Sequence, residues 1–197
     1  MLNIFCAPAA LGRLRALAHG RSITPRVVWA YLQERFQVLA TRRASGAGRI
    51  VRQADSPPPN MTTAQKGVYG EHVSDVHMAN QGHTKLNDGG RLTASTGPAR
   101  GTGIDGVWRN ANPPPEYIIT EAKYGSGQLG QTTDGRQMSD DWVLGGNRLE
   151  RAVGRQEAAR IEDAMQRGQV EKQLHRIDEN GRVTVSILDE DGNVVRR

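Results

Sequence analysis

Residues 101–142 read GTGIDGVWRNANPPPEYIITEAKYGSGQLGQTTDGRQMSDDW, and this stretch predicts the centre of the fold. The run Tyr117–Lys123 predicts a strand, because aromatic and β-branched side chains favour extended structure. A shorter strand is predicted around Ile104–Trp108. The segment Asn110–Pro115 (NANPPP) lies between the two and is typical of a loop. We therefore expect the two strands to form an antiparallel hairpin.

Charged side chains stand at one end of this predicted hairpin. Successive side chains of a strand point to opposite faces, so Glu121 and Lys123 share one face and Ala122 takes the other. If the strands pair through the NANPPP loop, the glycine-flanked Asp105 lies beside Glu121. Charges that end an apolar strand break the local pattern, and such breaks often mark functional sites.

Two carboxylates and a lysine in this arrangement suit hydrolysis of a phosphodiester. Carboxylate oxygens are ligands for Mg²⁺, which keeps several waters for the substrate phosphate. The metal polarises a phosphoryl oxygen and lowers the pKa of a bound water, and a nearby lysine stabilises the developing negative charge. The alternatives are a turn role for Asp105 and an exposed charge pair for Glu121 and Lys123.

Helices are predicted on both sides of the hairpin. A capped helix begins at Thr62 or Thr63, runs to about Asn80 and carries Glu71 in its middle. The glycine-rich residues 82–103 and 124–135 are predicted as loops. The remaining predicted elements are helices over roughly 137–149 and 155–167 and, in the tail, two antiparallel strands joined by a Glu179-Asn180-Gly181 turn. This order predicts an α/β or α+β domain.

The first 60 residues differ from the rest in charge. They carry nine Arg, no Lys and two acidic residues, which gives +7, whereas residues 61–197 carry −2. Residues 23–42 predict an amphipathic helix, and residues 44–60 a Pro/Gly-rich linker. We therefore expect a basic N-terminal helical appendage over 1–60 and a folded domain over 61–197. A basic arm suggests contact with nucleic acid, and a solvated Arg-rich tail is the alternative.

Several classes of protein are excluded by the sequence. Cys6 is the single cysteine, so an intramolecular disulfide or a cysteine-based zinc site cannot form. No run of residues is apolar and long enough for a membrane span, and the N-terminus does not have the charge order of a Sec signal. Gly125, Gly127 and Gly130 match neither a phosphate-binding loop nor a dinucleotide fingerprint.

The stretches GIDGVW, TEAKYG and DGRQMSDDW resemble the PD-(D/E)xK nuclease superfamily. The pattern there is an Asp on one strand, (Asp/Glu)-x-Lys on the next and a Glu on a preceding helix. More narrowly, they resemble restriction-endonuclease-fold toxin domains at the C-termini of bacterial polymorphic toxins, including Rhs, contact-dependent inhibition and type VI secretion effectors. The resemblance covers roughly residues 61–155. It implies a restriction-endonuclease-like core, with a central mixed sheet flanked by helices.

The resemblance also implies roles for five residues. Asp105 and Glu121 would bind Mg²⁺ or Mn²⁺, and Glu71 would bind the metal or its water shell. Lys123 would serve the attacking water. Gln137, at the position of a helical Gln in many members, would help to fix the lysine or a phosphate. No organic cofactor is implied. Ordinary surface roles are the alternatives for Glu71 and Gln137.

The biological setting follows from the resemblance alone. It implies a DNA-cleaving antibacterial effector that a cognate immunity protein neutralises. Such an effector leaves its cell through a dedicated secretion system and acts in the cytoplasm of a rival cell. Residues 1–60 could then fold on the domain, bind a delivery chaperone or serve as a delivery signal.

Three alternative functions stay open. The same fold could cleave tRNA or other RNA, or serve as a repair or junction nuclease in its own cell. It could also be a nucleic-acid-binding module without catalysis.

A metal site at His72, Asp75 and His77 is disfavoured, because their spacing is not the i, i+4 of a helical zinc pair. Arg136 and Lys66 are further candidates for phosphate contact, with solvated surface as the alternative.

Overall fold

The computed structural model describes residues 53–98 and 103–195. The chain divides after Ile50, and all described residues belong to the unit Val51–Arg197. The predicted helix over 23–42 and the first part of the predicted linker lie outside the described residues. The end of the linker contacts the domain, because the Tyr69 hydroxyl donates a hydrogen bond to the Asp55 carbonyl (3.0 Å).

A five-stranded mixed sheet forms the centre of the domain, as the sequence predicts. Its strands are β1 (Thr84–Lys85), β2 (Gly106–Arg109), β3 (Tyr117–Tyr124), β6 (Val170–Ile177) and β7 (Val183–Leu188). Two further strands, β4 (Gln131–Thr132) and β5 (Gly135–Arg136), form a separate two-stranded sheet. The α-helices are α1 (Thr63–Asn80), α2 (Asp140–Leu144), α3 (Arg148–Val153) and α4 (Arg155–Gln166), with 3-10 turns at Asp88–Gly90 and Gly145–Asn147. None of these helices is both long and apolar enough to cross a membrane.

The large sheet has the order β1-β2-β3-β6-β7. Only β3 and β6 run parallel, and the other neighbours are antiparallel. The predicted hairpin is confirmed, with Gly106 opposite Thr120 and Arg109 opposite Tyr117. Asp105 therefore lies immediately before β2, level with the part of β3 that carries the charged residues.

Helix α1 begins where the sequence predicts. The Thr62 hydroxyl accepts a hydrogen bond from the Gln65 amide (3.3 Å), and the Gln65 side chain accepts one from the Thr62 amide (2.8 Å). This reciprocal cap satisfies two donors that the first helical turn would otherwise leave free. Val68, Val73 and Val76 are buried, as expected for the inward face of the helix.

Alternation along β3 divides the apolar core between the two faces of the sheet. Ala122 packs with Tyr69 and Val73 of α1 on one face. Ile119 belongs to the larger cluster on the other face, whose remaining members include Met138, Trp142, Leu149, Ile161 and Leu174. Glu121 follows Ile119 by two residues and therefore stands on the face of this larger cluster.

The predicted helix over 137–149 is wrong in both its start and its length. Gln137 precedes α2, and Met138 has a left-handed backbone (φ 72°) that a helix cannot include. Ser139 then caps α2 by accepting a hydrogen bond from the Trp142 amide (3.2 Å). The helix ends at Leu144 because the next residue, Gly145, is extended (φ −66°, ψ 154°), and Gly146 then adopts a left-handed conformation (φ 54°).

Two predicted loops contain short strands. Residues 82–103 include β1, whose Lys85 pairs with Trp108 of β2. Residues 124–135 include β4 and the start of β5, which form a small antiparallel hairpin. Strands this short carry too little hydrophobic periodicity to be recognised in a glycine-rich sequence. The predicted helix over 155–167 and the terminal hairpin are confirmed as α4 and as β6 with β7.

A buried ion pair fixes β1 to α1. The Lys85 ammonium lies 2.5 Å from the Asp75 carboxylate, and neither side chain is more than 3% exposed. The Thr93 amide donates to the same carboxylate oxygen (2.6 Å). Loss of the lysine alone would leave a buried negative charge without its counter-charge.

We expect Lys85→Met to lower the free energy of unfolding by about 3–5 kcal/mol, measured by urea denaturation. The double variant Lys85→Met with Asp75→Leu should recover most of this loss, because no buried charge is left unpaired. Arg155→Ala is the control, since the Arg155 side chain is 88% exposed. A loss for Lys85→Met as small as that of the control would contradict this account.

Candidate active site

The end of β3 brings Glu121 and Lys123 together on one face of the sheet. The Lys123 ammonium donates to Glu121 Oε1 at 2.7 Å. The Glu121 side chain is only 3% exposed, whereas 20% of the Lys123 side chain reaches solvent. A buried carboxylate and a partly exposed ammonium therefore lie side by side, as the alternation of the strand predicts.

Asp105 is held against the same strand. Its Oδ2 accepts a hydrogen bond from the Ala122 amide (2.9 Å). Its carbonyl accepts another from the side-chain amide of Asn87 (3.0 Å), and the Val107 amide donates to Asn87 Oδ1 (3.0 Å). Asn87 is buried, and these two hydrogen bonds hold the chain on both sides of the start of β2. Nothing in the glycine-rich sequence around Asn87 marks this role.

Gln137 also contacts Glu121, although it does not lie on a helix. Its Nε2 donates to Glu121 Oε1 at 2.7 Å, and its Oε1 accepts a hydrogen bond from the Gly130 amide (3.2 Å). The residue lies in the loop between β5 and α2. The sequence-based assignment of Gln137 to the site thus coincides with a contact to Glu121, whereas its assignment to a helix is wrong.

Glu71 projects from α1 near the same place. Its negative charge contributes to the raised pKa of Glu121, behind burial and the charge of Asp105. The structure therefore brings together Asp105, Glu121, Lys123 and Gln137 by direct contacts, with Glu71 within electrostatic reach.

The pKa values of both buried carboxyl groups are raised in the fold, which favours their protonated forms. Loss of solvation raises the pKa of Asp105 to about 6, although the Ala122 amide and Lys123 partly oppose this shift. Burial, and next the charge of Asp105, raise the pKa of Glu121 well above its usual range. Both shifts show that the fold places negative charge where water does not stabilise it.

One oxygen of the site is left without a partner. Glu121 Oε2 is buried and accepts no hydrogen bond from any described residue. A divalent cation would satisfy this oxygen and offset the charges of Asp105 and Glu121, so the residues fit Mg²⁺ or Mn²⁺. Within residues 53–98 and 103–195, no group of three or more His, Cys, Asp or Glu is arranged to hold a metal. Waters and substrate oxygens would therefore complete the coordination, as is usual for Mg²⁺.

A cleft of about 390 Å³ opens onto Asp105 and Gln137. Arg148 and Arg151 of α3 also line it, and neither was predicted from the sequence as a site residue. Their i, i+3 spacing places both on one side of a helix, but only the tertiary fold shows that this side faces Asp105.

Other clusters do not form sites. Ser74 Oγ and His175 Nδ1 lie 2.8 Å apart, but both residues are buried in the core, where burial lowers the pKa of His175 to about 3. A nucleophile needs access that this pair does not have. His72 contacts the Thr93 carbonyl (2.8 Å), while Asp75 is held by Lys85, so the disfavoured metal site at His72, Asp75 and His77 is not formed.

Comparison with known proteins found no matching family model, no similar curated protein and no similar solved structure.

We expect Asp105→Asn to make the metal-free protein more stable at neutral pH. The pKa of Asp105 is raised in the fold, so the stability that this group contributes is complete below its unfolded pKa and is lost as pH rises through about 6. The asparagine does not titrate, and its oxygen can still accept the Ala122 hydrogen bond. The gain should reach about 1–3 kcal/mol above that pH and shrink in acid.

The measurement is urea denaturation in EDTA from about pH 5 to about pH 8. Asp163→Asn is the matched control, because Asp163 is exposed and pairs with Arg167 on the surface of α4. Its effect should be small and nearly independent of pH. A wild type that is more stable than Asp105→Asn above pH 6 would show that the carboxylate is well stabilised in the fold.

Proposed function

We propose that residues 61–197 form a metal-dependent nuclease that hydrolyses nucleic-acid phosphodiester bonds. The observation that carries this proposal is the unpartnered, buried Oε2 of Glu121 beside Asp105, at the end of a strand that also presents Lys123. A fold does not retain buried like charges for stability, so the arrangement calls for a ligand that is itself a cation.

The fold is compatible with this function. A helix bearing Glu71 precedes a β2–β3 hairpin, and β6 then adds in parallel to β3 with helices on the sheet. We propose that this is the restriction-endonuclease-like core that the sequence resemblance implies. The candidate residues lie on four segments of the chain: α1, the residue before β2, the end of β3 and the loop before α2.

Asp105 and Glu121 would hold Mg²⁺ or Mn²⁺ in this nuclease, with Glu71 reaching the ion or its waters. When bound, the ion would polarise a phosphoryl oxygen and acidify a water. Gln137 holds the Glu121 carboxylate in one orientation through Oε1 and leaves Oε2 for the ion.

Lys123 acts on the substrate side. Its ammonium is fixed by Glu121 Oε1, and 20% of its side chain remains exposed to solvent. In hydrolysis, water adds to phosphorus, the bridging P–O bond breaks and negative charge grows on the phosphoryl oxygens. A fixed ammonium stabilises that charge without having to reorganise, which lowers the barrier.

DNA is the proposed substrate, and the proposed setting is interbacterial competition. In that setting a secretion system delivers the protein into a rival cell, and a cognate immunity protein protects the producer. These proposals rest on the resemblance to polymorphic toxin domains. Expression without an immunity protein should then kill bacterial cells, whereas a repair or junction nuclease should not.

We expect the full-length protein to nick and linearise plasmid DNA in Mg²⁺ and to be inactive in EDTA. Asp105→Ala, Glu121→Gln and Lys123→Met should each lower the rate by about 100-fold or more, because each removes a metal ligand or a charge that acts in the transition state. The measurement is supercoiled plasmid lost with time, resolved on agarose gels.

Asp163→Ala is the control variant for this assay. Its partner Arg167 contacts Glu116 at the opposite end of β3, so the exchange leaves the candidate site intact. If Asp105→Ala cut DNA as fast as this control, the assignment of the site would be wrong. A folded wild type that left DNA intact but cut tRNA would redirect the proposal to RNA, and cleavage of neither polymer would end it.

A further inference from the structure

Two adjoining hollows share a wall made of Gly103, Arg148 and Arg151. One is the cleft of about 390 Å³ that reaches Asp105 and Gln137. The other has a volume of about 420 Å³ and extends past Asn87 and Asp88, whose carboxylate pairs with Lys85 (3.3 Å). Together they form a trough that continues beyond the candidate catalytic residues, and α3 supplies its basic side.

Arg148 is held in this trough before any ligand arrives. Its Nη1 donates to the Asp134 carboxylate (2.6 Å) and to the carbonyls of Trp142 and Gly145 (3.0 Å each). The guanidinium also lies over the Trp142 ring, 4.8 Å from its centroid. Every hydrogen bond that Arg148 makes within the described residues uses Nη1, so Nε and Nη2 keep their donors for a ligand.

Arg151 adds a charge that no described carboxylate offsets. Its Nη1 donates to the carbonyl of Gly146, and its side chain is exposed. Asp134 compensates the charge of Arg148, whereas Arg151 has only this carbonyl partner in the part of the chain that the structure describes. The trough therefore carries a net positive charge on the α3 side, opposite the carboxylate of Asp105.

This mixture of charges restricts the class of ligand. A small anion on the arginines would leave Asp105 without a partner, and a metal ion at Asp105 would leave the arginines without one. A phosphodiester chain satisfies both sides, because its phosphates suit guanidinium donors and a cation can bridge another of its phosphates to the carboxylates. An open trough, rather than a closed pocket, suits an extended polymer.

We propose that this trough holds a nucleic-acid strand, with Arg148 and Arg151 binding the phosphate next to the one that is cleaved. This inference rests on the proposed nuclease function and deepens it. Arg148 positions the strand through a preorganised guanidinium, and Arg151 supplies most of the electrostatic attraction. Gly103 leaves room for the strand, since a Cβ at this position would meet no atom of the described residues within 4 Å.

The test separates binding from cleavage. Anisotropy of a short fluorescein-labelled DNA strand is measured in EDTA against the full-length protein carrying Asp105→Asn, so that no cleavage occurs. Three substitutions are each added to this Asp105→Asn protein: Arg151→Ala, Arg148→Lys and Gly103→Phe. Each should raise the Kd at least five-fold, and Arg151→Ala should lower the slope of log Kd against log salt by about 1.

The control is Arg160→Ala, which removes an equal charge elsewhere. Arg160 pairs with Glu157, and Glu157 contacts Tyr117 at the far end of β3 from Glu121. Thermal melting of every variant checks that the fold is retained. The basic residues 1–60 are present in all variants and so cancel in the comparison.

Weaker binding in the α3 and Gly103 variants, with Arg160→Ala unchanged, supports the trough. Equal affinity for Arg151→Ala, Gly103→Phe and Arg160→Ala overturns it, even if the wild type cleaves plasmid DNA in Mg²⁺. If the wild type never cleaves but still binds DNA through Arg151, the binding trough is supported and the proposed nuclease function is rejected. No binding of DNA or of an RNA strand of the same sequence also overturns the trough.

Discussion

The pairing of β2 with β3 is the constraint on which the candidate site depends. The Ala122 amide donates to Asp105 Oδ2 at 2.9 Å, and this bond holds the residue that precedes β2 against the strand that carries Glu121. Two acidic side chains are thereby brought together where solvation is poor. Lys123 and Gln137 both donate to Glu121 Oε1, but Oε2 has no donor within the described residues. The site therefore contains a buried carboxyl oxygen that its described neighbours leave without a partner.

The two faces of the sheet pack differently around the end of β3 that carries Glu121. On the α1 side, Ala122 packs against Tyr69 and Val73, so the strand cannot move away from its helix. On the other side, the large apolar cluster around Met138 and Trp142 fixes the loop that carries Gln137. The core therefore offsets the electrostatic cost of the site, which is the usual balance between stability and function.

The sequence predicts the parts of this site that depend on local periodicity. Alternation places Glu121 and Lys123 on one face, and the NANPPP loop predicts that Asp105 returns beside them. The start of α2 was predicted three residues too early, although Ser139 before Asp140 is an N-cap signal in the sequence; only the left-handed backbone of Met138 has no signal in its residue type. Arg148 was also missed, since its position over Trp142 depends on tertiary packing.

Binding of Mn²⁺ tests the central claim most directly, because it asks whether the buried carboxylates form a cation site, independently of any substrate. The loss of the free Mn²⁺ EPR signal is followed as full-length protein is added at a pH well above 6. We expect saturable binding by the wild type and a large loss of affinity in Glu121→Gln, with Asp163→Asn unchanged. Equal binding by the wild type and Glu121→Gln, or no binding by the folded wild type, would contradict the account.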